Sequence, residues 1–116
     1  KVLEIAPAEA GPPASEVLVA VADRETAALL AYSLAAHGHR VHTVGGGAEA
    51  IAWLARQRPD LLVLDLDLVA PAGEEVLRIV RRRPETAELP VVTLGGRASA
   101  GGSVRALALG ADAARA

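Results

Sequence analysis

The chain has 116 residues, 52% of them apolar, a formal net charge of −2, no Cys, Met or Phe, one Trp and one Tyr. That length holds one domain with a real core and not two, and the lack of Cys excludes a disulfide framework and thiol chemistry. The slight negative charge offers no basic field for nucleic acid or an anionic membrane, and no apolar stretch reaches membrane-spanning length or resembles a secretion leader, so a cytoplasmic location is expected.

With Lys at position 1 and no Met anywhere, the chain is expected to be a piece of a longer one. "KVLEIA" (1–6) offers a short extra strand or a tether, and "PAEAGPPAS" (7–15) has the Pro, Gly, Ala and Ser content of a linker. Regular patterning starts at Val17. "VLVAVA" (17–22) is a continuous apolar run, as expected for a strand covered on both faces. "DRETAALLAYSLAAHG" (23–38) has an acidic start, apolar residues at helical spacing and a Gly stop. "RVHTV" (40–44) suits a second strand, the glycines at 45–47 a loop, and "AEAIAWLARQRP" (48–59) a helix up to Pro59. "LLVLDLD" (61–67) follows as a third strand and "GEEVLRIVRRRP" (73–84) as a third helix. "PVVTL" (90–94) is a fourth strand, 95–102 a Gly-rich loop, "SVRALALG" (103–110) helix-forming, and "ADAARA" (111–116) a weak fifth strand. Strands alternating with helices at this spacing indicate an α/β fold with a parallel, doubly wound sheet.

Within that frame the third strand poses a question. Its Leu and Val run is broken by Asp65 and Asp67, and an ionised carboxylate is costly in a core without a partner. In open parallel sheets, sites lie beyond the carboxyl ends of the strands, so a strand ending in two carboxylates points to a functional site. The other reading is structural: Asp65 caps the strand end through backbone N–H groups, Asp23 caps the first helix, and Asp67 has reached solvent.

At this point the chain resembles the receiver domain of bacterial response regulators, the phospho-accepting half of two-component signalling. "RPDLLVLDLDL", "GEEVLRIVRRRPETAELPVVTL" and "VRALALGAD" carry the resemblance, which runs from about Val17 to Ala116. Pro59 precedes Asp65 by six residues, the spacing at which the family places its phospho-acceptor. Gly73 lies eight residues beyond Asp65, where the family starts its third helix, and "GAD" (110–112) precedes the last strand. The resemblance implies a flavodoxin-like five-stranded sheet of order 2-1-3-4-5 for a receiver-like domain over residues 16–116, with 1–15 as an extension. The family's Lys and final helix would follow Ala116.

The resemblance also implies a chemistry. A carboxylate attacks a phosphoryl group while Mg²⁺ and a Lys neutralise the developing charge. The acidic pair that holds the metal falls on Val21 and Ala22 here, and only the next residue, Asp23, is acidic. The hydroxyl position after the fourth strand is Gly95, the aromatic switch position on the last strand is Ala114, and the Pro usually four residues past the acceptor is displaced to Pro71. Losing carboxylate ligands leaves Mg²⁺ poorly held, and each charge-stabilising group removed costs on the order of 10² to 10³ in rate. The expectation is therefore a degenerate receiver, not an enzyme and without a cofactor, acting through protein contacts. The alternative is a working receiver phosphorylated on Asp65 by a histidine kinase, with Mg²⁺ in a site rebuilt from Asp23, Asp65 and Asp67. The partners implied are an effector domain or a signalling protein, with a homodimer as a further option, and neither direct nucleic-acid nor membrane binding.

Other residues have plainer readings. His37, His39 and His42 fall on a helix end, a turn and a strand, which argues against a shared metal. "RRR" (81–83) ends a helix, where cations meet the negative end of the dipole. Trp53, between the core positions Ala50 and Leu54, reads either as a partly exposed partner contact or as half-buried packing on the domain's own surface. A nucleotide-binding domain is disfavoured because "VADRET", after the first strand, has no G-x-G-x-x-G.

Overall fold

The computed structural model describes residues 15–95 and 113–114. Its strands are β1 (Glu16–Ala20), β2 (Arg40–Val44), β3 (Leu61–Asp65), β4 (Val91–Leu94) and β5 (Ala113–Ala114), and its helices are α1 (Arg24–Ala36), α2 (Gly47–Arg56) and α3 (Gly73–Arg82). The strands form one sheet in the order β2-β1-β3-β4-β5, and every neighbouring pair is parallel. The expected doubly wound architecture and strand order are therefore present. The expected tether and linker (residues 1–14), the segment 96–102 and the expected fourth helix at 103–110 lie outside the described residues.

Period-two alternation in the central strands builds two cores. Leu18 and Ala20 of β1, Leu62 and Leu64 of β3, and Val91 of β4 meet Ala50, Trp53 and Leu54 of α2 and Val76, Leu77 and Val80 of α3. Val17, Val19 and Val63 point the other way, where Ala27, Leu30 and Leu34 of α1 cover them. Burying a Leu completely contributes roughly 2 kcal/mol, so Leu18, Leu62, Leu64 and Leu77, all at 0% exposure, make the α2/α3 side the stronger of the two.

Two aspartates pin β1 to β3, one at each end of the pair. At the amino end, Asp60 Oδ2 accepts the Glu16 N–H at 2.8 Å, and the Asp60 N–H donates to the Glu16 carbonyl at 2.7 Å. At the carboxyl end, Asp65 Oδ2 accepts the Ala22 N–H at 3.1 Å.

Several element ends differ from the sequence expectation, each for a local reason. β1 stops at Ala20 because the Val21 N–H makes the last ladder bond, to the Val44 carbonyl, and the Ala22 N–H then goes to the Asp65 side chain. α1 ends before Gly38, whose φ of +94° suits glycine and stops the helix. α2 ends at Arg56 rather than Pro59, since a residue before proline avoids the helical region. Arg58 then donates to the Leu54 carbonyl at 2.7 Å, capping the helix end. β3 stops at Asp65 rather than Asp67, because the Asp67 N–H turns back to Asp65 Oδ1 at 2.8 Å and the Leu68 N–H to the Asp65 carbonyl.

Two side chains correct the sequence reading further. Trp53 is not half-exposed: it is 8% exposed in the α2/α3 core, and its ring lies 5.1 Å from that of His42. It is therefore core packing rather than a partner contact. Arg81 does more than meet a helix dipole. Its guanidinium donates to the carbonyls of Thr86, Ala87 and Leu89, at 3.4, 3.1 and 2.7 Å, and so holds the connection into β4.

Thr93 is fully buried on β4 with a hydroxyl that has no hydrogen-bond partner among the described residues. An unpaired buried hydroxyl carries a desolvation cost and gains nothing in return. Thr93→Val, nearly the same shape, should raise unfolding stability by about 1 kcal/mol, measured by urea denaturation followed through Trp53.

Candidate functional site

The carboxyl ends of β1, β3 and β4 meet where the strand order reverses between β1 and β3, the place at which doubly wound sheets carry their sites. Asp65 ends β3 there with 9% of its surface exposed. Both of its carboxylate oxygens accept backbone N–H groups, Oδ2 from Ala22 and Oδ1 from Asp67. The carboxylate thus joins the β1–α1 connection to the turn after its own strand, matching the structural reading of a strand-end cap.

The neighbouring positions hold hydrocarbon. Val21 is buried in the α1-side core, and Ala22 contributes a backbone N–H and a methyl group. Asp23 is the N-cap of α1. Its Oδ2 accepts the Thr26 N–H at 2.9 Å and the Thr26 hydroxyl at 2.6 Å, which ties it to its own helix. Those bonds, the hydroxyl's first, hold the Asp23 carboxyl below its ordinary value of 3.8.

Asp67 is exposed on the turn, yet its carboxylate faces the same spot as that of Asp65. A Cβ built on Gly95 would stand 2.7 Å from Asp67 Oδ2 and 3.0 Å from Asp65 Oδ1. Gly95 also has φ +75°, a conformation that side-chain-bearing residues rarely adopt. The structure therefore brings Asp65, Asp67 and Gly95 together with the Ala22 backbone, while Asp23 is bonded to its own helix. Ala114 contributes backbone pairing with Thr93 on β4. His37 Nδ1 lies 2.8 Å from the Ser33 carbonyl and His42 against Trp53, on separate elements.

Two supports of this region are visible only in three dimensions. A Cβ on Gly73 would overlap the Asp65 carbonyl and stand 2.6 Å from Leu66 Cα, so α3 starts in contact with the backbone that carries Asp65. On the other side, the amino end of α2 rests on the loop after β3. The N–H groups of Gly47 and Ala48 donate to the carbonyls of Val69 and Ala70 at 3.1 and 2.9 Å. A Cβ on Gly47 would overlap Pro71. The glycines at 45–47 read as a loop in the sequence, which does not tell that Pro71 approaches Gly47.

Comparison with known proteins agrees with this arrangement. A model of the response regulator receiver domain matches residues 17–114. The phosphate regulon transcriptional regulatory protein PhoB of Rhizobium meliloti is 44% identical over 96 residues, covering 81% of this chain and 42% of that protein. Response regulator MprA of Mycobacterium leprae is 38% identical over 90 residues, covering 78% of this chain and 39% of its own length. The crystal structure of a response regulator from Chloroflexus aurantiacus, described as putative, superposes with a TM-score of 0.82 at 25% identity, over 87% of this chain and 83% of that one. The chain spans about two fifths of the length of these two curated relatives.

Two measurements test the geometry. Gly73→Ala should cost about 3 kcal/mol in denaturant unfolding, since the backbone it meets cannot swing aside as a side chain would. Asp23→Ala should lower the thermal midpoint at neutral pH. Because the folded-state carboxyl titrates below its unfolded value of 3.8, its contribution is complete above that pH and is lost as pH falls through the lower folded value. The gap between the melting curves of wild type and variant should therefore close in strong acid and stay constant above about pH 5.

Proposed function

The chain belongs to the response regulator receiver domain family of two-component signalling, and from that premise we propose that it is a degenerate receiver, one that works through protein contacts rather than through Mg²⁺-dependent phosphorylation of Asp65. The observation that carries this reading is the state of the Asp65 carboxylate. Both oxygens already accept backbone N–H groups, and the residue that supplies one of them, Ala22, stands with Val21 where the family's acidic pair would be. A divalent cation of the Mg²⁺ type needs several oxygen ligands in near-octahedral array. The residues present do not fit it, since Val21 and Ala22 offer no side-chain oxygen and Asp23 is bonded to Thr26. Gly95 has no hydroxyl to receive a phosphoryl oxygen, and a Cβ there would meet the Asp67 carboxylate. Ala114 has no ring to carry a switch.

On this reading, residues 16–116 form the regulatory domain and 1–15 an extension that joins it to the rest of a longer protein. The relative PhoB is a transcriptional regulatory protein, which supports an effector domain as partner, with DNA contacts made by that domain and not by this one. The alternative, a phospho-accepting receiver served by a histidine kinase, has one observation in its favour: Asp65 and Asp67 both face the space at Gly95. Against it stands the engagement of Asp23 with its own helix.

A small phosphodonor with Mg²⁺, followed by intact mass, separates the two. The expected result is no gain of a phosphoryl group under conditions that label a PhoB-type receiver domain fully. A phosphoryl adduct on the wild type that is absent from Asp65→Asn would overturn the proposal.

A further inference from the structure

A crevice of about 520 Å³ opens at the carboxyl ends of β1 and β2, between the start of α1 and the start of α2. Its floor is hydrocarbon, from Ala27, Ala28 and Ala31 of α1 and Val44 of β2. Val21 and Ala22 extend that floor into the place where the family's acidic pair would stand, so an anionic group can approach without meeting those two carboxylates. The lining also carries opposite charges, Arg24 in the first turn of α1 and Glu49 in the first turn of α2. Glu49 is held in place, its Oε1 accepting the Gly45 N–H at 2.9 Å. Thr43, exposed near the end of β2, adds a hydroxyl.

We propose that this crevice binds a free apolar peptide of dipeptide size, its carboxylate on Arg24, its ammonium on Glu49 and its side chains against the alanines. Small-molecule pockets of roughly 300–1,000 Å³ are mostly apolar, with a few polar groups that fix orientation, and in doubly wound sheets they lie beyond the carboxyl ends of the strands. This crevice meets each condition. A guanidinium and a carboxylate in one lining select a molecule with both complementary charges, because a ligand with only one leaves the other group unmatched. A segment inside a protein chain has no terminal charges to offer, which favours the free peptide over a protein surface. The Thr43 hydroxyl suits the single peptide group, to which it can donate or from which it can accept. Occupancy also reaches the strand-end carboxylate, since the Ala22 N–H donates to Asp65 Oδ2 and Ala22 lines the crevice.

The test is a titration of the isotope-labelled full chain with leucyl-alanine, followed by amide NMR, with neither phosphodonor nor Mg²⁺ present. The resonances of Ala22, Ala28 and Gly45 should move saturably, with a dissociation constant of about 1 mM. Those of Arg58 and Arg83, which line a separate groove at the far ends of α2 and α3, should stay still. N-acetyl-leucyl-alanine and leucyl-alanine amide each lack one charge and should bind roughly threefold more weakly. Arg24→Gln should remove the preference for the free carboxylate. Glu49→Gln, which keeps an oxygen for the Gly45 N–H, should remove the preference for the free ammonium. Ala28→Leu, at an exposed position, should fill the floor and weaken binding about tenfold. A spectrum unmoved at about 20 mM peptide would overturn the proposal, as would shifts confined to other residues or equal affinity for free and capped peptides. The capped peptides are compared on the unaltered chain, so that outcome depends on no variant folding. Phosphorylation of Asp65 in the labelling experiment would end the degenerate reading and leave this one standing, because the titration contains no phosphodonor.

Discussion

Asp60 and Asp65 fix β1 against β3, and the register of the other strands follows from that pair. Both strands are apolar on each face, so polarity alone does not tell one face from the other, and a slip by one residue would still bury hydrocarbon. Size gives part of the answer: Val17, Val19 and Val63 face α1, while Leu18, Leu62 and Leu64 face α2 and α3. The aspartates give the rest. Each accepts a specific N–H at one end of β1, and a slipped strand would leave both carboxylates and both amides without these bonds.

How much of this was legible in the sequence depends on which force decided each feature. The strand and helix order was legible because it follows from periodicity and from Gly and Pro punctuation. The ends were not, because they are set by bonds between distant residues: Ala22 leaves the ladder for a carboxylate 43 positions away. The position of Asp65 was readable from its spacing to Pro59 and Gly73, and its engagement by backbone amides was already one of two stated readings. Asp23 was also weighed correctly as a helix cap. Trp53 had two readings, partner contact or packing, because its place on the helical wheel lies at the margin of the core, and only the ring of His42 on β2 shows that the margin is covered. The contacts of Gly47 and Gly73 were hidden for a related reason, since a glycine records that something comes near without recording what.

The carboxylate at the end of β3 has two possible kinds of work, and they place opposite demands on it. A nucleophile needs a lone pair directed at its target and cations to offset the charge that develops. A structural cap needs its lone pairs directed at amides. Asp65 meets the second demand with both oxygens, and Gly73 seats α3 directly on its backbone. The junction of β1, β3 and α3 uses this carboxylate in its structural capacity.

The pairing of Trp53 with His42 has a consequence for watching this molecule. An indole packed between α2 and the edge strand β2, with an imidazole 5.1 Å away, is the chain's single strong fluorophore. Its emission therefore comes from one boundary, the one between the outermost strand and the helix beside it. Edge strands and their covering helices are among the first places to open in a sheet protein. An optical signal from this chain is accordingly a local gauge of fraying at β2, and comparison with a backbone probe such as circular dichroism tells whether the edge parts company with the centre before the whole domain melts.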